Sequence, residues 1–295
     1  MRLVATLVAN PARPVLTDAL IDAAARALGQ ETERRVLARG IAADIHLEGD
    51  KGTAETAIRV ALGHEPVDVV VQPAATRRKR LFLADMDSTM IGQECIDELA
   101  DYVGLKEKVS AITERAMRGE IAFEPALRER VALLKDLPVG VIDEIIGTRI
   151  TLTPGGRELV GTMRANGAYA ALVSGGFTLF TGPIGAAIGF DEHRSNRLAV
   201  EEGRLKGEVE EPIFGREGKL SALRELRQRF GLEPHQTLAV GDGANDLAML
   251  GEAGLGVAFH AKPAVAAAAH ARIEHADLTA LLYAQGYRAE DIVGA

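Results

Sequence analysis

Closely spaced carboxylates follow two apolar segments of this chain. Asp85 and Asp87 come directly after the apolar residues 81–84, and Asp242 and Asp246 lie in the cluster 241–246, which follows a second apolar segment. Carboxylates that are held together repel one another unless a cation lies between them. Oxygen ligands in small number suit Mg²⁺ better than calcium or a metal that prefers thiolates. The pattern therefore predicts a site for a divalent cation, with Mg²⁺ as the favoured ion.

Two other groups of residues are suited to binding a phosphate. Ser174, Gly175 and Gly176 follow the apolar residues 169–173. Glycine lets main-chain N–H groups approach an anion, and serine adds a hydroxyl donor. Lys219, near the start of a predicted helix, can add a fixed positive charge to the same phosphate. Each group alone is more often a turn or a surface lysine, but their occurrence together with paired acids favours phosphoryl transfer.

An alternation of helical and extended segments after residue 154 is expected to position these groups. It predicts an α/β fold, a parallel sheet with helices on both faces. In open sheets of this kind ligands bind beyond the carboxyl ends of the strands, so the polar clusters should meet in one site. Because Asp85 and Asp87 would point to opposite sides of a continuing strand, the chain should turn there. Ser88 and Thr89 favour such a turn through hydrogen bonds to its main chain.

Two further units accompany the predicted sheet. Residues 1–75 show the order β-α-β-β-α-β, which is typical of a ferredoxin-like α+β domain. Residues 92–150 carry helical patches and hardly any strand pattern, which predicts a helical insertion after the first strand of the sheet. The core domain then consists of residues 76–91 and 151–295. A hairpin that turns at residues 202–203 is expected within this core.

Composition narrows the class of protein. The 295 residues are 47% apolar and, at ~150 residues per domain, correspond to about two domains. The formal net charge is -8, from 34 Lys and Arg against 42 Asp and Glu, so nucleic acid is not an expected partner. Every apolar stretch is interrupted before the ~18 residues of a membrane helix, so no membrane partner is expected. The single cysteine, Cys95, indicates a cytoplasmic protein, and a homodimer is left open.

The motifs resemble those of the haloacid dehalogenase (HAD) superfamily of phosphatases and, within it, those of the phosphoserine phosphatase family. The resemblance extends from about residue 81 to the C-terminus and includes Phe123 and the run 128–138, which are similar to the family's helical cap. It implies a HAD-type Rossmann-like core with an inserted helical cap. The N-terminal unit has the element order of an ACT-like regulatory domain, and its loop 10–14 lacks the glycine that such ligand sites often use.

The resemblance implies a role for each polar residue of the site. Asp85 would be the nucleophile that becomes phosphorylated, and Asp87 the general acid and base. The Mg²⁺ would be held by the carboxylate of Asp85, the main-chain carbonyl of Asp87, and Asp242. Met117 and Phe123 are expected either to form walls of the substrate pocket or to belong to the apolar core of the cap. The implied substrate-binding residues are Glu94 for an ammonium, Arg130 for a carboxylate, Ser174, Gly175 and Lys219 for the phosphate, and Asn245 nearby.

The activity that the resemblance implies is Mg²⁺-dependent hydrolysis of O-phosphoserine through a phosphoaspartyl intermediate, the last step of serine biosynthesis. One alternative is a phosphotransferase that passes the phosphate from Asp85 to a second hydroxyl, such as that of homoserine. The other is a non-catalytic binding or regulatory protein. The presence of Asp85, Asp87, Lys219 and Asp242 together disfavours the second alternative, because one neutral replacement would disable the site.

Overall fold

The computed structural model of the chain describes residues 1–117 and 120–294, without the side chain of Met117. These residues form an antiparallel sheet, a group of helices and a parallel sheet. Every helix of the described residues is too short or too polar to span a lipid bilayer.

The N-terminal unit is a four-stranded antiparallel sheet with two helices packed on it. Its elements are β1 (Arg2–Ala9), α1 (Asp18–Ala27), β2 (Glu33–Ala38), β3 (Ala42–Glu48), α2 (Lys51–Leu62) and β4 (Val67–Pro73). The strands lie in the order β2-β3-β1-β4. Alternate residues of β1, Leu3, Ala5 and Leu7, share one apolar cluster with Ile21 of α1 and Ile58 of α2. The predicted order β-α-β-β-α-β is therefore confirmed.

The second sheet has six parallel strands. The eight strands after residue 80 include these six and a separate pair. They are β5 (Leu81–Ala84), β6 (Tyr169–Phe177), β7 (Glu192–Asn196), β8 (Leu198–Glu201), β9 (Arg204–Val209), β10 (Thr237–Gly241), β11 (Leu255–Phe259) and β12 (Ala271–Ile273). The parallel sheet has the order β12-β11-β10-β5-β6-β7, and β8 and β9 form the predicted hairpin as a separate pair. All residues of β5 are buried, as expected for a central strand that is covered on both faces.

Helices form the predicted insertion after β5. Among the described residues they are α3 (Cys95–Tyr102), α4 (Lys106–Met117), α5 (Phe123–Ala132) and α6 (Gly140–Thr148). Their buried apolar residues include Leu99, Leu127 and Val131, which the helical spacing places on inward faces. The hairpin lies against this insertion, because the Asp136 N–H donates to the Leu205 carbonyl at 2.8 Å.

The remaining helices cover the two faces of the parallel sheet. They are α7 (Gly156–Ala165), α8 (Thr178–Ile188), α9 (Arg216–Arg229), α10 (Leu247–Glu252), α11 (Pro263–Ala268) and α12 (Ala280–Ala284). Neighbouring residues of β5 belong to different apolar clusters: Phe82 is grouped with Leu159 of α7, and Leu83 with Leu223 of α9. A parallel sheet between two helical layers, with the insertion and the N-terminal α+β unit, confirms the predicted fold class.

One predicted helix is shorter than its composition indicates. The sequence predicts a helix over the alanine-rich residues 264–271, but α11 ends at Ala268 and Ala271 begins β12. Ala271 pairs in parallel with Val257 of β11. Alanine has the highest helix propensity, but pairing with an existing sheet outweighs this preference at the end of the segment.

Buried polar groups attach the N-terminal unit to the parallel sheet. The Asp68 carboxylate of β4 accepts bonds from three successive main-chain N–H groups after β12, those of residues 274–276, at 2.8, 3.1 and 2.8 Å. Arg77, in the connection between the two units, pairs with the fully buried Asp44 of β3 at 2.7 Å. These charge-assisted bonds fix the N-terminal unit beside β12.

Candidate active site

The strand β5 leads directly into the acidic loop. Asp85 follows the last residue of β5, and the chain then turns over Met86–Met90, where Asp87 and Ser88 have non-helical backbone angles, in agreement with the predicted turn. Ser88 in this turn has a φ of +54°, a left-handed conformation that is unfavourable for residues other than glycine. As a result, Asp85 and Asp87 both line one cavity of about 740 Å³.

The hydroxyl groups of this turn bind carboxylates of the site. The Ser88 hydroxyl donates to Glu94 Oε1 at 2.7 Å, and the Thr89 hydroxyl donates to Asp242 Oδ1 at 3.2 Å. The prediction that both hydroxyls bond the main chain of the turn is therefore wrong. Instead they connect the turn to the insertion and to the loop after β10, which holds acidic groups from three segments in place.

A buried lysine links two of the carboxylates. Lys219 of α9 is fully buried, with its Nζ 2.6 Å from Asp85 Oδ1 and 2.7 Å from Asp246 Oδ1. Burial by itself would lower the pKa of Lys219, but the charges of Asp246 and Asp85 outweigh burial and raise it. The ammonium therefore stays protonated and supplies a fixed positive charge beside Asp85.

Three carboxylates form a cluster that lacks enough positive charge. Oxygen atoms of Asp85, Asp242 and Asp246 lie within 4.8 Å of one another. Burial, followed by the charge of Asp246, raises the pKa of both Asp85 and Asp242. One lysine cannot neutralise three carboxylates, and an all-oxygen donor set of this kind fits a hard divalent cation. Asp87 is also expected from the sequence to bind the metal, through its main-chain carbonyl. This atom is not a carboxylate oxygen, so Asp87 is not a member of the cluster.

The Asp87 carboxylate lies between the core and the insertion. It accepts a bond from the Cys95 main-chain N–H at the start of α3, at 2.8 Å, and one from the Ser174 hydroxyl, at 3.2 Å. Burial raises the pKa of Asp87, and the bonds from Cys95 and Ser174 oppose this rise. A carboxyl group whose pKa is raised in this way can carry a proton and later release it, which is what general acid–base catalysis needs.

The end of β6 brings small residues to the same place. Ser174 Oγ accepts the Gly176 N–H at 2.8 Å, and Gly175 lines the cavity together with Asn245 from the loop after β10. A Cβ atom on Gly176 would lie 3.0 Å from Asp87 Oδ2, closer than side chains usually pack, so this close approach of the main chain favours glycine. The Ser174 hydroxyl and the main chain of Gly176 therefore lie close to the Asp87 carboxylate at the cavity.

The insertion contributes one acidic and one basic residue to the cavity. Glu94 precedes α3, and burial, followed by the charge of Asp87, raises its pKa to about 7. Arg130 of α5 lines the same cavity and is held by the Ala126 carbonyl and by Thr113 Oγ1, each at 3.3 Å. The cavity thus offers a subsite for a cation and a subsite for an anion in addition to the phosphate donors.

Phe123 forms an apolar part of the cavity wall. Its ring lies against Gly175 and Gly215, where an added Cβ atom would come within 3.4 and 3.0 Å of the ring. The side chain of Met117, the other predicted wall residue, lies outside the described residues.

The structure brings the predicted site residues together around one cavity. The lining includes Asp85, Asp87, Glu94, Arg130, Gly175, Asp242 and Asn245. Ser174 and Lys219 lie behind the lining, bonded to Asp87 and Asp85 respectively. Sequence reasoning counted Asp246 among the carboxylates that imply a cation, but it did not predict the ion pair of Asp246 with Lys219. It assigned no role to four other residues of the cavity lining, which are Asp97, Thr113, Arg216 and Lys262. Asp246 had a signal in its place within the cluster 241–246, whereas the others are recognisable only from the folded chain.

Comparisons with known proteins are consistent with this geometry. The family model for haloacid dehalogenase-like hydrolases matches residues 82–251, and a model for sucrose-6F-phosphate phosphohydrolase matches residues 213–295. A phosphoserine phosphatase of Archaeoglobus fulgidus is 44% identical over 237 residues, which are 79% of this chain and 69% of the relative.

Similarity to solved structures extends over up to 97% of the chain. The crystal structure of a HAD family hydrolase from Salmonella enterica serovar Typhi has a TM-score of 0.86 at 27% identity and covers 97% of this chain and 98% of its own. A substrate-bound phosphoserine phosphatase complex has a TM-score of 0.65 at 41% identity and covers 70% of this chain and 98% of its own.

Proposed function

The chain belongs to the haloacid dehalogenase-like hydrolases and, within them, to the phosphoserine phosphatase family, and we propose that it hydrolyses O-phosphoserine to serine and phosphate. The observation that carries this proposal is the presence of both Glu94 and Arg130 in the cavity that contains Asp85. Phosphoserine carries a phosphate, an ammonium and a carboxylate. The three subsites of the cavity match these three charges.

We propose the following contacts for the bound substrate. The phosphate binds next to Asp85, where the Ser174 hydroxyl, the main chain of Gly175 and the charge of Lys219 are near, and Asn245 lies beside Gly175. The ammonium binds Glu94. The carboxylate binds Arg130, because a guanidinium can donate two parallel hydrogen bonds to a carboxylate.

In the first half-reaction we propose that Asp85 attacks the phosphorus atom. A bond forms between the Asp85 carboxylate oxygen and phosphorus, the bond from phosphorus to the seryl oxygen breaks, and Asp87 gives its proton to that oxygen. Serine leaves, and phosphoaspartate remains. In the second half, Asp87 takes a proton from water as the water attacks phosphorus, and the bond to Asp85 breaks with release of phosphate.

The acidic cluster supports a requirement for a divalent metal, and we propose Mg²⁺. The residues that would hold it are Asp85, Asp87 through its main-chain carbonyl, and Asp242. When bound, Mg²⁺ supplies positive charge that offsets the charge of the phosphate. Asp246 belongs to the same cluster of carboxylates, but it is already bonded to Lys219.

We also propose the domain limits and the setting of the enzyme. The ACT-like unit comprises residues 1–75, the core 76–91 and 151–295, and the cap 92–150. The net charge of -8 and the small-molecule site support a metabolic enzyme without nucleic acid or membrane partners. Cytoplasmic location is supported by the single, buried cysteine.

Release of phosphate from a panel of phosphorylated amino acids, sugars and aryl phosphates tests the activity. We expect phosphoserine to be the preferred substrate without any added acceptor alcohol. Serine formation that requires an acceptor alcohol and gives a phosphorylated acceptor in place of free phosphate would indicate the phosphotransferase instead. The panel therefore separates the two catalytic alternatives in one assay.

Arg130→Ala tests the assignment of the substrate carboxylate. It removes a charge-assisted contact worth about 1.5–3 kcal/mol, so kcat/KM for phosphoserine should fall at least about tenfold. An aryl phosphate, which lacks a carboxylate, should be affected much less. Arg128→Ala is the matched control, because Arg128 is on the same helix but pairs with Glu211 at 2.6 Å outside the cavity lining. Equal losses on both substrates would assign Arg130 to the fold or to the phosphate site.

Glu94→Gln tests the ammonium subsite through pH. Because the pKa of Glu94 is about 7, this carboxyl is charged above neutrality and uncharged below, so KM for phosphoserine should rise as the pH falls. Gln is neutral at every pH, and the variant should keep the high KM throughout. The ratio of kcat/KM for phosphoserine to that for an aryl phosphate removes the titration of the phosphate itself, whose pKa is about 6. An unchanged pH profile of this ratio in the variant would place the ammonium elsewhere.

A further inference from the structure

Arg130 differs from other arginines of the cap in what holds it. Arg115, Arg128 and Arg149 each form an ion pair with a carboxylate, at 3.1, 2.6 and 2.7 Å. In the described part of the chain, Arg130 has no such pair. Its hydrogen bonds go to two neutral oxygen atoms, and the residue is half-buried in the cavity wall.

The Thr113 hydroxyl is oriented as an acceptor for this guanidinium. Thr113 Oγ1 donates its single proton to the Val109 carbonyl, one turn earlier in α4, at 3.1 Å. The same oxygen accepts the Nη1–H of Arg130 at 3.3 Å. A hydroxyl has one proton and two lone pairs, so once the proton is used in α4 the lone pairs remain for Arg130.

The carboxylates that are described in the cavity lining do not contact the Arg130 guanidinium directly. Asp97 of α3 and Glu94 attract Arg130 electrostatically, and both line the same cavity. Within the residues that the structure describes, neither of them forms an ion pair with the guanidinium. A substrate carboxylate therefore does not have to displace a protein carboxylate before it binds Arg130.

We propose that Thr113 is a positioning residue that selects phosphorylated amino acids over other phosphate esters. It holds the Arg130 guanidinium in the cavity wall by a neutral contact, so that the positive charge stays free for the substrate carboxylate. A carboxylate at this position would hold Arg130 as well but would neutralise it. This inference rests on the proposed function, because it deepens the carboxylate subsite of phosphoserine.

Substitutions of Thr113 distinguish a contact that only holds the Arg130 guanidinium from one that also neutralises its charge. Thr113→Val keeps the shape and removes the acceptor, so KM for phosphoserine should rise about threefold to tenfold. Thr113→Ser restores the hydroxyl and should restore KM. Thr113→Asp adds a carboxylate beside Arg130 and should raise KM the most. An aryl phosphate has no carboxylate, so its kcat/KM should fall much less than that of phosphoserine in Thr113→Val and Thr113→Asp, and its turnover also reports that each preparation is folded.

A double variant tests whether Thr113 acts through Arg130. In the Arg130→Ala background, Thr113→Val should cause no further loss on phosphoserine, because the group that it positions is gone. The inference is overturned if the losses add, if Thr113→Asp leaves KM unchanged, or if both substrates lose activity equally. The proposed function itself is tested on the wild-type enzyme, independently of the variants. It is overturned if the wild-type enzyme releases phosphate from aryl phosphates but not from phosphoserine.

Discussion

Asp85→Asn is expected to abolish phosphoserine turnover and to leave a folded protein. An amide is uncharged and a poor nucleophile, so the phosphoaspartate should not form, and kcat should fall by about a thousandfold or more. Asn has the same shape, and Lys219 keeps its second partner, Asp246, at 2.7 Å. Burial and the charge of Asp246 raise the pKa of Asp85, which means that the fold disfavours a charged group at this position. Replacing this carboxylate by a neutral amide should therefore not destabilise the fold.

Rapid acid quenching during turnover measures the phosphoenzyme directly. Wild-type enzyme should give phosphate bound to protein, and Asp85→Asn should give none at any time. Asp143→Asn is the control, because Asp143 is an exposed residue of the cap helix α6 and is not part of the cavity lining. Substantial turnover by folded Asp85→Asn would remove Asp85 from the role of nucleophile.

The place of the site could be predicted from the sequence because it depends on sheet topology. The strands that precede the three polar clusters are neighbours, in the order β10-β5-β6, so their carboxyl ends meet at one edge. Their residues are apolar and fully buried over most of their length, which makes them recognisable in the sequence. The sequence alone is therefore enough to place Asp85, Ser174 and Asp242 together.

Contacts between side chains that are far apart in the sequence could not be predicted in the same way. Lys219 and Asp246 are separated by 27 residues, and their ion pair depends on how α9 packs beside the loop after β10. The bond between Thr113 and Arg130 depends on how α4 and α5 pack in the cap. No local pattern encodes either contact, since both depend on the packing of elements that are separate in the chain.

Weak local signals account for the parts of the fold that the sequence did not reveal. The helix α8 contains Gly182, Pro183 and Gly185, which have low helix propensity, and it forms because its apolar residues are buried against the sheet. The edge strand β7 is polar, since one of its sides lacks a neighbouring strand. The strand β12 has three residues, too few to show a period.

Asp87→Asn is expected to slow both halves of the reaction, but by amounts that depend on the leaving group. Phosphoserine needs a proton on the departing seryl oxygen, so its kcat should fall about a hundredfold to ten-thousandfold. An aryl phosphate with an acidic phenol leaves without that proton and should still phosphorylate Asp85. Its second half should remain slow, because Asn cannot take a proton from the attacking water.

The difference between the two Asp variants distinguishes their roles within one assay. With an activated aryl phosphate, Asp87→Asn should release one equivalent of phenol in a burst and then turn over slowly, whereas Asp85→Asn should show no burst at all. The phosphoenzyme should accumulate in the first variant and be absent from the second. Full turnover of the aryl phosphate by Asp87→Asn would mean that another group activates the water. The bonds from Cys95 and Ser174 to Asp87, at 2.8 and 3.2 Å, would then serve to hold the cap on the core rather than to orient the base.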